Sequence, residues 1–135
     1  MKTILVCYEE GPVASRVLER TAFLAKALGA KVFVTSVAPV LHSRGGPIDV
    51  VDPPSRHVEE TKDAITRLTE LGVSETAGIP GLGDPADVAV HLAEEYAVDL
   101  IVVGAHEGGF VSRLVSGSVD EAISRKAHAD VLIVH

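Results

Sequence analysis

With 135 residues the chain fits one ordinary domain, which excludes a catalytic domain joined to an accessory one. A hydrophobic fraction of 47% excludes a disordered chain, and 4% aromatic residues with no Trp argue against a stacking surface for nucleic-acid bases. Twelve Lys and Arg against 19 Asp and Glu leave a net charge of -7, so no nucleic-acid or membrane partner is expected, and an anionic ligand would have to be held by local geometry.

The elements follow in chain order. Thr3 to Tyr8 is a short, β-branched, almost continuously apolar run, the pattern of a strand buried on both faces. Its single cysteine, Cys7, excludes an intramolecular disulfide, fits a reducing compartment and is expected to be an inert small hydrophobe. No signal-peptide pattern precedes the strand and no apolar run nears a membrane span, so a soluble, cytoplasmic protein is expected. Val13, Val17, Thr21, Leu24 and Leu28 share one face of a helix that Pro12 can start and Gly29 can stop. Lys31 to Val37 is the second strand. Ala38 to Pro54 follows as a loop of Gly and Pro turns, long for such a fold. It is either a flexible lid over the ligand-binding edge or a tolerated surface insertion.

Val58, Thr61, Ile65 and Leu68 stripe a second helix that ends before Gly72, and Ser74 to Ile79 is a weaker strand. Asp84 and Pro85 are the N-cap and first residue of a third helix striped by Val88, Leu92 and Tyr96. Asp99 to Val103 is a fourth buried strand. A fourth helix starts near Ser118, with Asp120 and Glu121 in its first turn and Arg125 and Lys126 in its last, and Asp130 to Val134 is the closing strand. Strands alternating with helices predict an α/β fold, an open doubly wound five-stranded parallel sheet with helices on both faces, as a single domain over 1–135.

Gly104, Gly108, Gly109 and Gly117 lie between the fourth strand and a helix start. Backbone N–H groups there can approach an anion, with the helix dipole in support; the plainer role for such glycines is a tight turn over the sheet. Ser118 suits a helix cap as well as a ligand contact, and His106 lies beside the loop. No Walker-type G-K-[ST] is present. Gly81 to Ala86 matches G-x-G-x-x-A formally, but Asp84 and Pro85 remove the donors that a pyrophosphate needs. His42, Asp49, Asp52 and His57 match no metal-ligand spacing, so no metal site is assigned, and no catalytic residue is assigned either.

The opening ILVCYEEGP, the GDPAD helix start, DLIVVGAH, the Gly117-Ser118 pair and the closing ADVLIVH together resemble the universal stress protein family over essentially the whole chain. The resemblance implies a flavodoxin-like domain. Its nucleotide-binding branch carries a Gly-x2-Gly-x9-Gly-Ser/Thr motif, which Gly104 opens and Gly117-Ser118 closes, while Glu107 stands at the second glycine. A carboxylate there opposes phosphate, and Gly108 and Gly109 follow at once. Glu9 aligns with the family's nucleoside-contacting aspartate. The implied ligand is ATP or a related adenine nucleotide, with or without magnesium, in the crevice over the C-terminal ends of strands one and four. Its contacts are expected at Glu9, Val37, Ala38, Gly104, His106, Gly108, Gly109, Gly117, Ser118 and Val119, with adenine near Val37 and Ala38.

The expected role is a stress-response factor. The alternatives are a dimeric interaction module that binds no nucleotide, and a slow nucleotide hydrolase or phosphotransferase using Glu107 or His106 as base and Arg113 as cation. A homodimer through Asp130 to Val134 is expected both from an apolar closing strand that would be a sheet edge and from the resemblance.

Overall fold

Short β-branched runs bounded by helices leave a parallel sheet as the way to bury both faces of each strand. The computed structural model describes residues 2–38, 40–42, 48–50, 54–105 and 129–135. Its elements are β1 (Thr3–Cys7), α1 (Ala14–Leu28), β2 (Lys31–Thr35), β3 (Val37–Ala38), β4 (Val40–His42), β5 (Ile48–Val50), α2 (Pro54–Glu70), β6 (Thr76–Gly78), β7 (Gly81–Leu82), α3 (Pro85–Glu95), β8 (Leu100–Gly104) and β9 (Asp130–Val134). The main sheet has the order β6-β2-β1-β8-β9, and every pair in it is parallel. Strand order therefore reverses between β1 and β8, the place where open α/β sheets leave a crevice at their C-terminal edge.

Alternation along the strands feeds two cores. Ile4, Val6, Val32 and Val34 pack beneath α1 and α2 against Leu18 and Leu68, while Leu5, Cys7, Phe33, Ile101 and Val103 pack beneath α3. α3 contributes Ala86 and Ala89 to its contact, and such small residues let a helix lie close on the sheet. Each fully buried Val, Leu or Ile contributes about 1.5–3 kcal/mol by leaving water, so the central strands dominate the folding energy. The doubly wound α/β expectation is met, with α1 and α2 on one face and α3 on the other. The fourth helix expected from Ser118 lies outside the described residues.

The segment after β2 departs from the expectation. The second strand stops at Thr35 rather than Val37, and the chain resumes as β3, which pairs with β7 apart from the main sheet. The stretch from Ala38 to Pro54 is not a structureless loop either. β4 and β5 form an antiparallel hairpin in which Val40 faces Val50 and His42 faces Ile48, and Pro54 already belongs to α2. Val40, Ile48 and Val50 are β-branched and suit strands, a signal that the density of Pro and Gly obscures in the sequence. Leu28, Val58 and Tyr96, assigned to striped faces, are exposed; in α2 Thr61 and Leu68 are buried as expected, joined by Glu60 and Ala64. Gly29 does stop α1, in the left-handed conformation at φ 64°.

At the opposite edge Asp99 joins three strands. Its Oδ2 accepts the backbone N–H groups of Lys2 at 2.8 Å and Thr3 at 3.0 Å, and its backbone O accepts the N–H of Asp130. The N–H of Lys2, then that of Thr3, holds the Asp99 carboxyl below its ordinary value of 3.8. A depressed folded-state pKa gives stabilisation that is present above 3.8 and lost as pH falls through the lower folded value. Asp99→Asn should therefore lower the Tm at neutral pH, with the gap to wild type closing as the titration runs below pH 3.8. A Tm gap that stays constant with pH would remove the carboxylate from this role.

Candidate functional site

β1 and β8 end side by side at the strand-order reversal, and a cleft opens there. It is shallow and lined by Cys7, Glu9, Gly11, Val13, Val17 and Gly104 among others. Glu9 and Gly104 are the expected site residues that the structure brings together here. None of the described lining residues is basic.

Gly104 has a packing reason of its own. A Cβ built there would lie 2.8 Å from Val13 Cγ2 and 3.2 Å from Val17 Cγ2, so α1 sits as close as it does because position 104 has no side chain. Cys7 lines the cleft but is buried. Burial, and after it the nearby charge of Glu9, pushes its thiol up, which leaves it a thiol and a poor nucleophile at neutral pH. Tyr8 is buried on the α1 and α2 face; desolvation pushes its hydroxyl up and Arg67 opposes the shift.

Val37 and Ala38 form β3, in register with Gly81 and Leu82 of β7. Ser36, the residue before them, belongs to a polar cluster. Ser36 Oγ donates to Glu60 Oε2 at 2.8 Å and lies 2.8 Å from His57 Nδ1, while Arg56 Nε donates to Glu60 Oε1 at 3.2 Å. The hydroxyl has one proton, given to Glu60, so His57 must supply the proton of the second bond from Nδ1. The cluster ties the first turns of α2 to the end of β2, and this is where His57 belongs.

His106, Gly108, Gly109, Gly117, Ser118 and Val119, together with Glu107 and Arg113, lie outside the described residues. Sequence reasoning missed Glu10 and Gly11, which line the cleft. Asp84 takes the expected N-cap position before Pro85, but its side chain makes no capping hydrogen bond.

The model of the universal stress protein family matches residues 1–135. Universal stress protein Rv1636 of Mycobacterium tuberculosis (strain ATCC 25618 / H37Rv) is 32% identical over 141 residues, covering 99% of this chain and 96% of its own length. Universal stress protein A of Escherichia coli (strain K12) is 34% identical over 138 residues, covering 98% and 93%. Among solved structures, that of a universal stress protein in complex with cAMP superposes with a TM-score of 0.71 at 27% identity, over 99% of this chain and 96% of that one.

Proposed function

The chain belongs to the universal stress protein family, and from that membership we propose that it binds an adenine nucleotide in the crevice between the C-terminal ends of β1 and β8, as a cytoplasmic stress-response factor. The observation that carries this reading is the cleft at the strand-order reversal, which sets the carboxylate of Glu9 and the backbone of Gly104 on the same opening. A carboxylate suits the hydroxyls of a ribose, and a glycine at a strand end suits the close approach of a phosphate. The related protein solved with cAMP supports the ligand class. ATP, with or without magnesium, is the form we propose in the cell. Glu9, Val37, Ala38, Gly104, His106, Gly108, Gly109, Gly117, Ser118 and Val119 are the contacts proposed for it.

No helix among the described residues is long and apolar enough to cross a membrane. We also propose a homodimer through β9, which the sheet order places at an edge.

Calorimetric titration with ATP, with and without magnesium, tests the reading. Saturable binding is expected, and Glu107→Gly should tighten it about tenfold without magnesium, since removing a like charge beside phosphate is worth about 1 kcal/mol or more. ATP hydrolysed during the titration would favour the slow hydrolase. Complete absence of binding by both proteins would leave the interaction module.

A further inference from the structure

The loop from Glu9 to Val13 supplies most of the described lining of the cleft, and both of its ends are gripped by one side chain from a distant helix. Tyr8 comes immediately before the loop. It is buried on the α1 and α2 face, its N–H donates to the O of Thr35 at 2.8 Å, and its hydroxyl accepts a hydrogen bond from Arg67 of α2. Ser15 follows the loop in the first turn of α1, and its Oγ accepts from Arg67 Nη2 at 2.9 Å, across 52 residues of chain. A local lock on that turn is missing, because Val13 at the N-cap makes no side-chain capping bond and no acidic residue lies in the first turn. The same helix holds the exit of β2 through Glu60 and Ser36, so α2 braces two of the segments that leave the sheet at this edge. A basic residue in the last turn of α2 suits the helix dipole, but that role alone would not send its side chain across to α1.

We infer that Arg67 is the positioning residue of the crevice: by bridging Tyr8 and Ser15 it holds the loop that carries Glu9 in the shape a ligand meets. The guanidinium fits this task. It is a planar fork of five N–H donors that stays charged, so it serves two acceptors at once, whereas a lysine is a compact point charge without that fork. Its charge also opposes those of Glu10 and Glu60, which both act on Tyr8 in the other direction. Fixing both ends of a short loop removes conformational freedom before a ligand arrives, so less ordering entropy opposes binding. Arg67 is not among the residues that line the cleft and acts only through Tyr8 and Ser15. The inference rests on the adenine-nucleotide reading above for its ligand, while the bridge itself is measured without one.

The test uses the full chain and two readouts, amide hydrogen exchange of the ligand-free protein and calorimetric titration with AMP. The hydrogen-bonded amides of Tyr8, Ala14 and Val17 bracket the loop. In Arg67→Met they should exchange about tenfold faster, beyond any change in the rest of the sheet, and AMP affinity should fall about tenfold. Tyr8→Phe with Ser15→Ala removes both acceptors, leaves Arg67 in place and should reproduce both changes. Adding Arg67→Met to that pair should change little further, as groups acting as one unit do. Arg67→Lys should resemble Arg67→Met; a lysine variant that matches wild type would assign the effect to charge alone and overturn the bridge. Asp99→Asn is the control at the opposite edge of the sheet. It should lower the Tm without singling out these amides or changing AMP affinity, which separates positioning from loss of stability. Unchanged exchange in both Arg67→Met and the Tyr8→Phe, Ser15→Ala pair overturns the bridge while nucleotide binding stands. Faster exchange with undiminished AMP affinity overturns the positioning role. A wild type that binds no AMP overturns the adenine-nucleotide reading and the positioning role with it.

Discussion

Gly104→Ala should lower both stability and adenine-nucleotide affinity. The added Cβ would stand 2.8 Å from Val13 Cγ2 and 3.2 Å from Val17 Cγ2. Val17 is in the core, and both side chains are β-branched and stiff, so the strain falls on the approach of α1 to β8. Overpacking of this kind costs about 1–3 kcal/mol. A chain of this size should lose roughly 3–10 °C of Tm as a result. Because Val13, Val17 and Gly104 also line the crevice, its shape changes with the shift, and affinity for AMP should fall about tenfold, or about 1.4 kcal/mol. Gly78→Ala is the control. Its Cβ would lie 2.7 Å from Thr61 Cγ2 and 3.0 Å from Ile65 Cδ1, a similar crowding on the edge strand β6. It should destabilise comparably and leave AMP affinity unchanged. If Gly104→Ala loses stability but retains full affinity, the phosphate end of the proposed site is not at β8.

The second large effect concerns association. The two edges of the sheet differ: β6 is three residues long, whereas β9 is five, with Val131 exposed and Leu132 and Ile133 half-buried. A short strand is a protected edge, and a longer apolar one is a pairing surface. The ladder shows which of its groups face outward. The N–H of Asp130 donates to Asp99 and the O of Val134 accepts from Ala105, so residues 130, 132 and 134 bond inward to β8, and Val131 and Ile133 direct theirs away from it. Val131→Pro with Ile133→Pro therefore removes outward donors and spares the sheet, whereas prolines at Leu132 and Val134 would break the β8 pairing itself. In a two-fold antiparallel pair this deletes about four hydrogen bonds at about 1 kcal/mol each, or about a thousandfold in dimer affinity. Light scattering over a dilution series should find wild type dimeric at micromolar concentration and the double variant monomeric. A wild-type monomer there, or a folded variant that remains dimeric, would remove β9 as the interface.

Local composition determined a great deal here. The apolar runs at Ile4 to Val6 and Ile101 to Val103 could be stable only as strands covered on both faces, and Asp84-Pro85 and Gly29 punctuate helices by backbone chemistry that operates within a few residues. Those signals are short-range, so the five-stranded α/β plan and the crevice edge were legible without coordinates. The hairpin of β4 and β5, and the pairing of β3 with β7, were not, because cross-strand pairing is a contact between segments whose separate patterns are weak. The same holds for the partners of single atoms. Nothing around Gly104 in the chain announces that Val13 and Val17 crowd it, nothing around Ser36 announces Glu60, and an aspartate at an N-cap gives no sign that its side chain will make no capping hydrogen bond. Periodicity and turn chemistry act along the chain and can be read from it, whereas close approach and hydrogen-bond satisfaction act across space and are decided when distant segments pack.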